Sequence, residues 1–248
     1  MKINVGIIGC GVIGDALKRW LSEYNPDCNI LVSDPAKGFT DDISTADVFF
    51  ISIHIPTEDN DTQNIEPLKE IIKSLPDRPI FIRTTLIPGT TDLLRNELNR
   101  NIFFMPEFLR EKTSYEDFCN QTMIFCGEID LLKKIFINKK YTVMTSLEAE
   151  IAKYTHNVFG ALKITFFNGI YELAERNKCN YENIREGSLL SGFINNMYTL
   201  VPGPDGKFGY GGKCFPKDVN AFAKYNENSL LGEIIALVKN QNEYYRKK

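Results

Sequence analysis

The sequence predicts a doubly wound α/β domain with a parallel sheet, followed by a mostly helical domain that contains one long helix. Strand and helix patterns alternate strictly through the first half of the 248-residue chain, which is typical of a parallel sheet with helices on both faces. From residue 147 to about residue 177 no proline interrupts the helical spacing, and such a helix would be more than about 40 Å long. The change in pattern places a boundary near Tyr141, between a first domain at residues 1–140 and a second at residues 141–248.

The predicted elements of the first domain are short and apolar. Strands are predicted over residues 3–8, 29–33, 47–53, 79–83, 101–105 and 122–126, and helices over residues 15–24, 65–74 and 91–98. The run at residues 47–53 is almost continuously apolar, as expected for a central parallel strand. In the second domain, Thr145 and Glu148 form a capping-box pattern at the start of the long helix. A further helix is predicted over about residues 229–245, after a Gly- and Pro-rich loop at residues 201–213.

Composition and charge argue against several classes of protein. Apolar residues make up 43 % and charged residues 25 %, and 29 basic against 32 acidic residues give a net charge of −3. This slightly acidic balance argues against nucleic-acid binding, and the longest apolar stretch is too short to cross a membrane. The N-terminus has no signal-peptide pattern, and the six cysteines include no Cys-x-x-Cys pair. We therefore expect a cytoplasmic protein without a metal site, whose cysteines, taken singly, are buried and inert.

A glycine-rich turn joins the first predicted strand to the first predicted helix. Residues 9–14 read Gly-Cys-Gly-Val-Ile-Gly and fit the G-x-G-x-x-G pattern, and Asp34 ends the next strand. This is the context of a Rossmann-type dinucleotide site, where glycines let the pyrophosphate approach a helix N-terminus. A carboxylate at Asp34 would bind the adenosine ribose and repel a 2′-phosphate, which favours NAD over NADP; a purely structural turn is the alternative. The predicted cofactor contacts are Gly9, Gly11, Val12, Ile13, Gly14 and Asp34.

The most distinctive string is Gly-Tyr-Gly-Gly-Lys-Cys-Phe-Pro-Lys-Asp at residues 209–218. Glycines let the backbone wrap closely around a ligand, and Pro216 is well placed as the first residue of a helix. Cys214 would then lie at a helix N-terminus, flanked by Lys213 and Lys217, and both effects favour the nucleophilic thiolate. The setting of Cys214 therefore predicts a reactive nucleophile rather than an inert core residue.

Lys153 and Asn157 lie four residues apart in the long predicted helix and therefore share one of its faces. A cation beside an amide could stabilise a developing oxyanion. A solvated lysine and a capping asparagine are the alternative, and they are the better interpretation for this pair taken alone.

These motifs occur together with others in an order that resembles the UDP-glucose dehydrogenase family of nucleotide-sugar dehydrogenases. Besides residues 9–14 and 209–218, the matching strings are residues 46–57, Thr84-Thr85 before Pro88-Gly89, Pro-Glu-Phe-Leu-Arg-Glu at residues 106–111, and residues 150–159. The resemblance spans nearly the whole chain but only part of the family's usual length. We therefore expect a short form that lacks the family's C-terminal UDP-binding domain.

The resemblance implies an NAD-dependent, four-electron oxidation of UDP-glucose to UDP-glucuronate, a precursor for polysaccharide biosynthesis. Cys214 would trap the intermediate aldehyde as a thiohemiacetal, and a second hydride transfer would give a thioester that water cleaves, which suits a soft thiolate. The resemblance further implies oxyanion stabilisation by Lys153 and Asn157, a general base at Glu107, and a water and proton network at Thr85 and Asp218. It implies NAD-side contacts at Thr57, Thr85, Glu111 and Lys217, and substrate contacts at Glu107, Phe108, Leu109, Arg110, Glu111, Lys153, Asn157 and Gly211.

Two departures from the family pattern leave alternatives open. The C-terminal domain is missing from the match, and the family's Arg-x-Gly string, which reaches the partner subunit's substrate, is replaced by Gly-Phe-Ile-Asn-Asn-Met at residues 192–197. The loop at residues 202–206 replaces part of this contact region. One alternative keeps the chemistry and changes the substrate to GDP-mannose or a UDP-N-acetylhexosamine. The other is a non-catalytic NAD-binding protein that pairs with a full-length partner.

The long predicted helix also predicts a homodimer. Its apolar residues extend beyond one face, and a single small α/β neighbour cannot cover them all. The residues concerned include Phe159, Ile164, Phe166, Phe167 and Ile170.

Overall fold

The main sheet is built around β4 (Val48–Ile51) and β5 (Ile80–Ile82), whose residues are all apolar and buried. The computed structural model describes residues 2–56, 58 and 61–248. In that part of the chain the sheet has six strands in the order β3-β2-β1-β4-β5-β6. Its other members are β1 (Ile3–Ile8), β2 (Cys28–Asp34), β3 (Phe39–Thr40) and β6 (Ile102–Phe104). Neighbouring strands are parallel except β2 and β3, which are antiparallel.

The helices connect and follow these strands. In chain order they are α1 (Val12–Tyr24), α2 (Glu66–Ser74), α3 (Thr90–Leu98), α4 (Ser114–Asn120), α5 (Ile129–Ile135), α6 (Ser146–Arg176), α7 (Tyr181–Leu189), α8 (Phe215–Tyr225) and α9 (Leu230–Arg246). A second sheet pairs β7 (Met123–Phe125) with β8 (Tyr141–Val143) in parallel.

Successive residues of β4 face opposite sides of the sheet, and each side is covered by an apolar cluster. Phe50 stacks on Phe81 with ring centroids 5.3 Å apart, in a cluster that also contains Trp20 of α1. Phe49 belongs to the other cluster, with Leu68 of α2. The predicted parallel sheet with both faces covered is therefore confirmed, and β3 is a short antiparallel addition that the sequence did not predict.

The long predicted helix is also confirmed. α6 has 31 residues, so it is about 46 Å long. Its start is the predicted capping box, because Thr145 donates its backbone N–H to the Glu148 carboxylate (2.8 Å) and the Glu148 N–H is donated to the Thr145 hydroxyl (3.2 Å). No helix in the described part of the chain has both the length and the apolar character needed to cross a membrane.

The chain divides into two compact units. One comprises Met1–Glu58 and Gln63–Lys153, and the other comprises Asp59–Thr62 and Tyr154–Lys248. The division falls within α6, later than the boundary predicted between residues 140 and 141. β8 belongs to the first unit because it pairs with β7, and so does the start of α6, where Glu150 accepts hydrogen bonds from the N–H groups of Gly89 and Thr91. Domains at residues 1–140 and 141–248 remain a prediction.

The second unit packs α8 against α9 and buries apolar residues of both helices, among them Val219, Phe222 and Ile235. Tyr154 of α6 stacks on Phe222 of α8 at 4.7 Å. Phe167, Ala174 and Tyr181 form a buried cluster between α6 and α7. Helices α4 and α5 were not predicted, because seven residues hold too few apolar positions to establish a helical period.

Candidate active site

The turn between β1 and α1 has the geometry that its glycines predict. Gly9 has a φ of +83°, and a Cβ there would lie 2.7 Å from the carbonyl oxygen of Ser52. A Cβ at Gly14 would overlap the carbonyl oxygen of Gly9, so this glycine brings helix and strand together. A Cβ at Gly11 would meet no atom of the described residues within 4 Å. A side chain at Gly9 or Gly14 would therefore clash with neighbouring backbone atoms, whereas a side chain at Gly11 would project into open space.

The open side of this turn faces the start of α1, where the predicted contacts Val12 and Ile13 form the first turn. No side chain in the described part of the chain caps this helix, so the dipole and the first N–H groups can serve an anion. Asp34, at the end of β2, accepts a hydrogen bond from the N–H of Cys10 (2.7 Å). Lys37, which sequence reasoning did not single out, donates to the carbonyl oxygen of Cys10 (2.7 Å).

The end of β5 carries the predicted water-holding threonine. Thr84 donates its hydroxyl to the carbonyl oxygen of Ile53 (2.6 Å), and the carbonyl oxygen of Thr85 accepts a hydrogen bond from the Gln63 amide (3.0 Å). Gln63 also accepts from the N–H of Ile87 (2.9 Å), so it bridges this turn. Gln63 was missed, because a single glutamine in a loop carries no pattern. Thr57, the other predicted NAD-side threonine, lies outside the described residues.

Glu107 and Lys153 form a buried ion pair within the first unit. Lys153 Nζ lies 3.2 Å from Glu107 Oε1 and donates to the Glu107 carbonyl oxygen (2.5 Å). The other carboxylate oxygen of Glu107 accepts from the N–H of Leu109 (2.7 Å). The two residues are only 5 % and 4 % exposed, so the interpretation of Lys153 as a solvated lysine is wrong. Both groups are therefore buried and held in place by these contacts.

Arg83, at the end of β5, is a further buried cation near Glu107 that the sequence analysis did not identify. It is fully buried, and none of its guanidinium nitrogens has a hydrogen-bond partner among the described residues. Burial lowers the pKa of Arg83 to about 10, and the charge of Glu107 opposes that shift. Its guanidinium lies 5.2 Å from the ring centroid of Phe118. The available signal was a charged residue closing an otherwise apolar strand.

The segment after Glu107 places the predicted substrate contacts along a surface-reaching loop. Phe108 and Leu109 are half-buried, whereas Arg110 and Glu111 are exposed. Arg110 is held by Asp117 of α4 through a 2.5 Å ion pair, and this contact lowers the pKa of the Asp117 carboxyl. Residues 108–111 therefore present, in order, an aromatic ring, an aliphatic side chain and two charged side chains.

Asn157 and Asp218 form a second buried pair, within the second unit. Asn157 donates its side-chain amide to Asp218 Oδ2 (2.6 Å), and its amide oxygen lies 2.9 Å from the Nδ1 of His156. Lys217 pairs with the other oxygen of Asp218. Asn157 and Asp218 are both buried, and Asn157 lies in the interior of α6, so the interpretation of Asn157 as a helix-capping residue is wrong. Asp218 therefore fixes one candidate oxyanion donor and one candidate NAD-side cation.

Cys214 lies at the N-cap of α8 and is exposed. Pro216 occupies the first turn of that helix, as predicted, and the left-handed glycines Gly209 (φ +70°) and Gly212 (φ +77°) shape the loop before it. Phe215 anchors the start of the helix against α6, because a Cβ at Gly160 would lie 2.8 Å from its ring. The predicted cysteine at a helix N-terminus, a setting that favours the thiolate, is therefore present.

The other cysteines divide by burial. Cys10, Cys28 and Cys126 are buried, and burial raises the pKa of Cys28 to about 11 and that of Cys126 to about 12. Cys119 is half-buried, and Cys179 is exposed, so the expectation of an inert core cysteine is wrong for Cys179. Exposure alone therefore does not single out Cys214; its place at the helix N-cap does.

Comparison with known proteins agrees with these motifs. Residues 147–244 match the central domain of the UDP-glucose/GDP-mannose dehydrogenase family. A UDP-glucose 6-dehydrogenase of Rhizobium meliloti (strain 1021) is 31 % identical over 247 residues, covering 86 % of this chain and 55 % of the relative. The chain spans about half the length of the curated relatives it matches. The resemblance to nucleotide-sugar dehydrogenases predicted from the sequence is therefore confirmed.

Solved structures share the fold. A UDP-glucose dehydrogenase from Pyrobaculum islandicum superposes with a TM-score of 0.79 at 23 % identity. The match covers 98 % of this chain and 68 % of the Pyrobaculum chain. A GDP-mannose dehydrogenase from Pseudomonas aeruginosa has a TM-score of 0.66 at 20 % identity, with 97 % and 68 % covered. At these identities the likeness concerns the fold alone.

Proposed function

We propose that this chain, whose residues 147–244 belong to the UDP-glucose/GDP-mannose dehydrogenase family, is an NAD-dependent nucleotide-sugar 6-dehydrogenase that converts UDP-glucose to UDP-glucuronate. The observation that carries the proposal is Cys214, exposed at the N-cap of α8 in the string Gly-Gly-Lys-Cys-Phe-Pro-Lys-Asp. A cysteine thiolate allows the second oxidation to pass through a covalent thioester, because it is both a good nucleophile and a good leaving group.

NAD supplies the hydride acceptor for both oxidations. The glycine turn at residues 9–14 fits such a dinucleotide, because the space where a Cβ of Gly11 would project is open and the start of α1 has no side-chain cap in the described residues. Asp34 is proposed to bind the adenosine ribose. Asp34→Ala should weaken NAD binding by about 1–3 kcal/mol, whereas Asp41→Ala, which removes another carboxylate bonded to a backbone N–H, should not. Tighter binding of NADP than of NAD by the unmodified protein would contradict this assignment.

The proposed reaction is a four-electron oxidation in which NAD would accept both hydrides. The substrate's C6 alcohol loses a hydride and its hydroxyl proton to give an aldehyde. The Cys214 thiolate adds to the carbonyl carbon, and the oxygen takes up a proton to form a thiohemiacetal. Loss of a second hydride and of that proton gives a thioester. Water then attacks the acyl carbon, the C–S bond breaks, and the thiolate leaves as the carboxylate forms.

Four buried groups are proposed to assist these steps. Lys153 and Asn157 lie one turn apart on α6 and supply a cation and an N–H donor for the oxyanions of the two tetrahedral stages. Glu107, held by Lys153 and by the N–H of Leu109, takes the proton from the hydrolytic water. Asp218 orients Asn157 through the 2.6 Å hydrogen bond, so that the amide N–H groups point in a fixed direction.

The test is to follow NADH formation with UDP-glucose, GDP-mannose and UDP-N-acetylhexosamines and to count NADH per sugar. We expect two NADH per UDP-glucose. Cys214→Ser should lose most turnover and leave product short of the acid, whereas Cys179→Ser, at the other exposed cysteine, should keep the rate. Two NADH per sugar at a near-normal rate from Cys214→Ser would refute the mechanism. NAD binding with no oxidation of any sugar would favour the non-catalytic alternative.

We also propose a cytoplasmic homodimer formed through α6. Phe159 and Phe166 are 63 % and 58 % exposed on this helix, and apolar surface of that kind marks interfaces. Phe167 is buried in a cluster with Ala174 and Tyr181, so the expectation that it belongs to this exposed apolar surface is wrong. Light scattering at micromolar concentration should give twice the chain mass, and Phe159→Glu with Phe166→Glu should give a monomer. A monomeric unmodified protein would contradict the proposal.

A further inference from the structure

The loop that carries Cys214 is held by a residue far along the chain, Asn242 of α9. Asn242 Oδ1 accepts the backbone N–H of Tyr210 (2.6 Å), and its Nδ2 donates to the carbonyl oxygen of the same residue (3.1 Å). The side chain thus pairs with Tyr210 as a neighbouring strand would. Asn242 is only 8 % exposed, so water cannot easily replace these two bonds.

A second asparagine completes this anchor from α6. Asn168 Oδ1 accepts the N–H of Gly209 (3.0 Å), while its Nδ2 donates to the carbonyl oxygen of Ile164 in its own helix (2.8 Å). Gly209 has a φ of +70°, and a Cβ there would overlap Asn242 Oδ1. Two consecutive backbone amides are therefore bound by buried side chains, at a position that accepts only glycine.

Arg246, one turn after Asn242, binds the same loop from its outer side. Its guanidinium donates to Asp205 (2.8 Å) and to the carbonyl oxygen of Phe208 (3.3 Å). It also lies against Gly211, where a Cβ would overlap it. The loop at residues 202–206, which departs from the family pattern, thus supplies the acid that holds Arg246.

The other end of the loop is fixed by α8. Cys214 is the N-cap, and Phe215 packs edge-to-face on Tyr198 (5.3 Å) and Tyr210 (6.4 Å). Only three residues, Gly211 to Lys213, separate the anchored Tyr210 from Cys214. A displacement of Tyr210 must therefore be taken up within those three residues or by Cys214 itself.

We propose that Asn242 is a positioning residue that holds Cys214 at the N-cap of α8, with Asn168 and Arg246 supporting the same loop. This inference rests on the proposed function, because that function makes Cys214 the nucleophile. The effect on the thiol does not depend on that function: without Asn242 the loop relaxes, Cys214 leaves its N-cap position, and the thiolate loses the stabilisation that the helix dipole gives it.

The test is the rate of Cys214 alkylation by iodoacetamide as a function of pH, read by mass spectrometry well below the unfolding temperature. Asn242→Ala should slow alkylation at pH 7 at least threefold and move the pH profile to higher pH. Asn242→Asp keeps the acceptor for the Tyr210 N–H but replaces the donor to the Tyr210 carbonyl oxygen by a second oxygen, so it should also slow alkylation. Asn25→Ala is the matched control, because Asn25 is buried and donates to the carbonyl oxygens of Lys134 and Ile135 in the first unit.

A parent-like alkylation profile in Asn242→Ala would overturn the inference, and so would an equal shift in Asn25→Ala. If Asn242→Ala does not fold, the profile of Asn242→Asp decides in the same way. Turnover adds a second readout: kcat should fall at least threefold while the KM for NAD stays constant. Alkylation needs neither sugar nor NAD, so a shifted profile in a protein that oxidises no sugar would sustain the inference and refute only the proposed function.

Discussion

Removing the buried cation at Lys153 should destabilise the protein far more than removing an exposed one. Lys153→Met leaves the Glu107 carboxylate buried, with the hydrogen bond from the N–H of Leu109 at 2.7 Å still in place. Truncating one partner of a buried ion pair costs about 3–5 kcal/mol, because the remaining charge is desolvated without compensation. The contact of Lys153 Nζ with the Phe108 ring, 5.3 Å to the centroid, is lost as well and adds about 0.5–2 kcal/mol.

Urea denaturation followed by far-UV circular dichroism at pH 7 measures this cost. The double variant Lys153→Met with Glu107→Gln removes both charges, so it should cost less than the sum of the two single variants, with a coupling of at least about 2 kcal/mol. Lys73→Met is the control, because Lys73 forms an exposed pair with Glu70, and its unfolding midpoint should not change. Equal midpoints for Lys153→Met and Lys73→Met, or strictly additive single costs, would refute the description of a tightly coupled buried pair.

Three further predictions concern the turn, the thiols and a buried phenol. Gly14→Ala should cost about 1–3 kcal/mol or more in urea denaturation, whereas Gly11→Ala, with open space at its Cβ, should leave stability unchanged and impair only NAD binding. At pH 8, Cys126, with its pKa raised by burial to about 12 from 9.0, should alkylate roughly 1000-fold more slowly than an unperturbed thiol, and Cys214 should alkylate fastest; comparable rates would contradict this order. Burial raises the pKa of Tyr181 to about 12 from 10.0, so the unfolded chain ionises first and stability should fall between pH 10 and 12; Tyr181→Phe should abolish that part of the fall, and an unchanged slope would count against it.

Sequence patterns predicted the elements whose physics is local. The apolar strands, the glycine turn at residues 9–14 and the capping box of α6 each depend on neighbouring residues, and all are present. Helices α4 and α5 were missed because each has only seven residues. Strand β8 was missed because all three of its residues are exposed, so it shows no burial pattern, and only its pairing with β7 defines it.

The same distinction between local and long-range interactions applies to the candidate site. Cys214 at a helix N-cap could be derived from the glycines and the proline around it. The partners of the buried groups could not, because Lys153 finds Glu107 and Asn157 finds Asp218 across 46 and 61 residues of chain. Lys153 and Asn157 are buried, so the interpretation that the sequence favoured, a solvated lysine and a capping asparagine, is wrong for both. Asn242 carried no signal at all, since an asparagine that binds a distant backbone looks like any polar residue on an amphipathic helix.

The lengths of the outermost strands have a consequence for solubility during folding. One edge of the main sheet is β3, with two residues, and the other is β6, with three. A strand edge invites another chain to pair with it in proportion to its run of unpaired backbone N–H and C=O groups. Since the interior strands are rich in isoleucine and phenylalanine, long edges of the same composition would promote cross-β association. Short edges let the sheet keep an aggregation-prone interior while offering neighbouring chains almost no template.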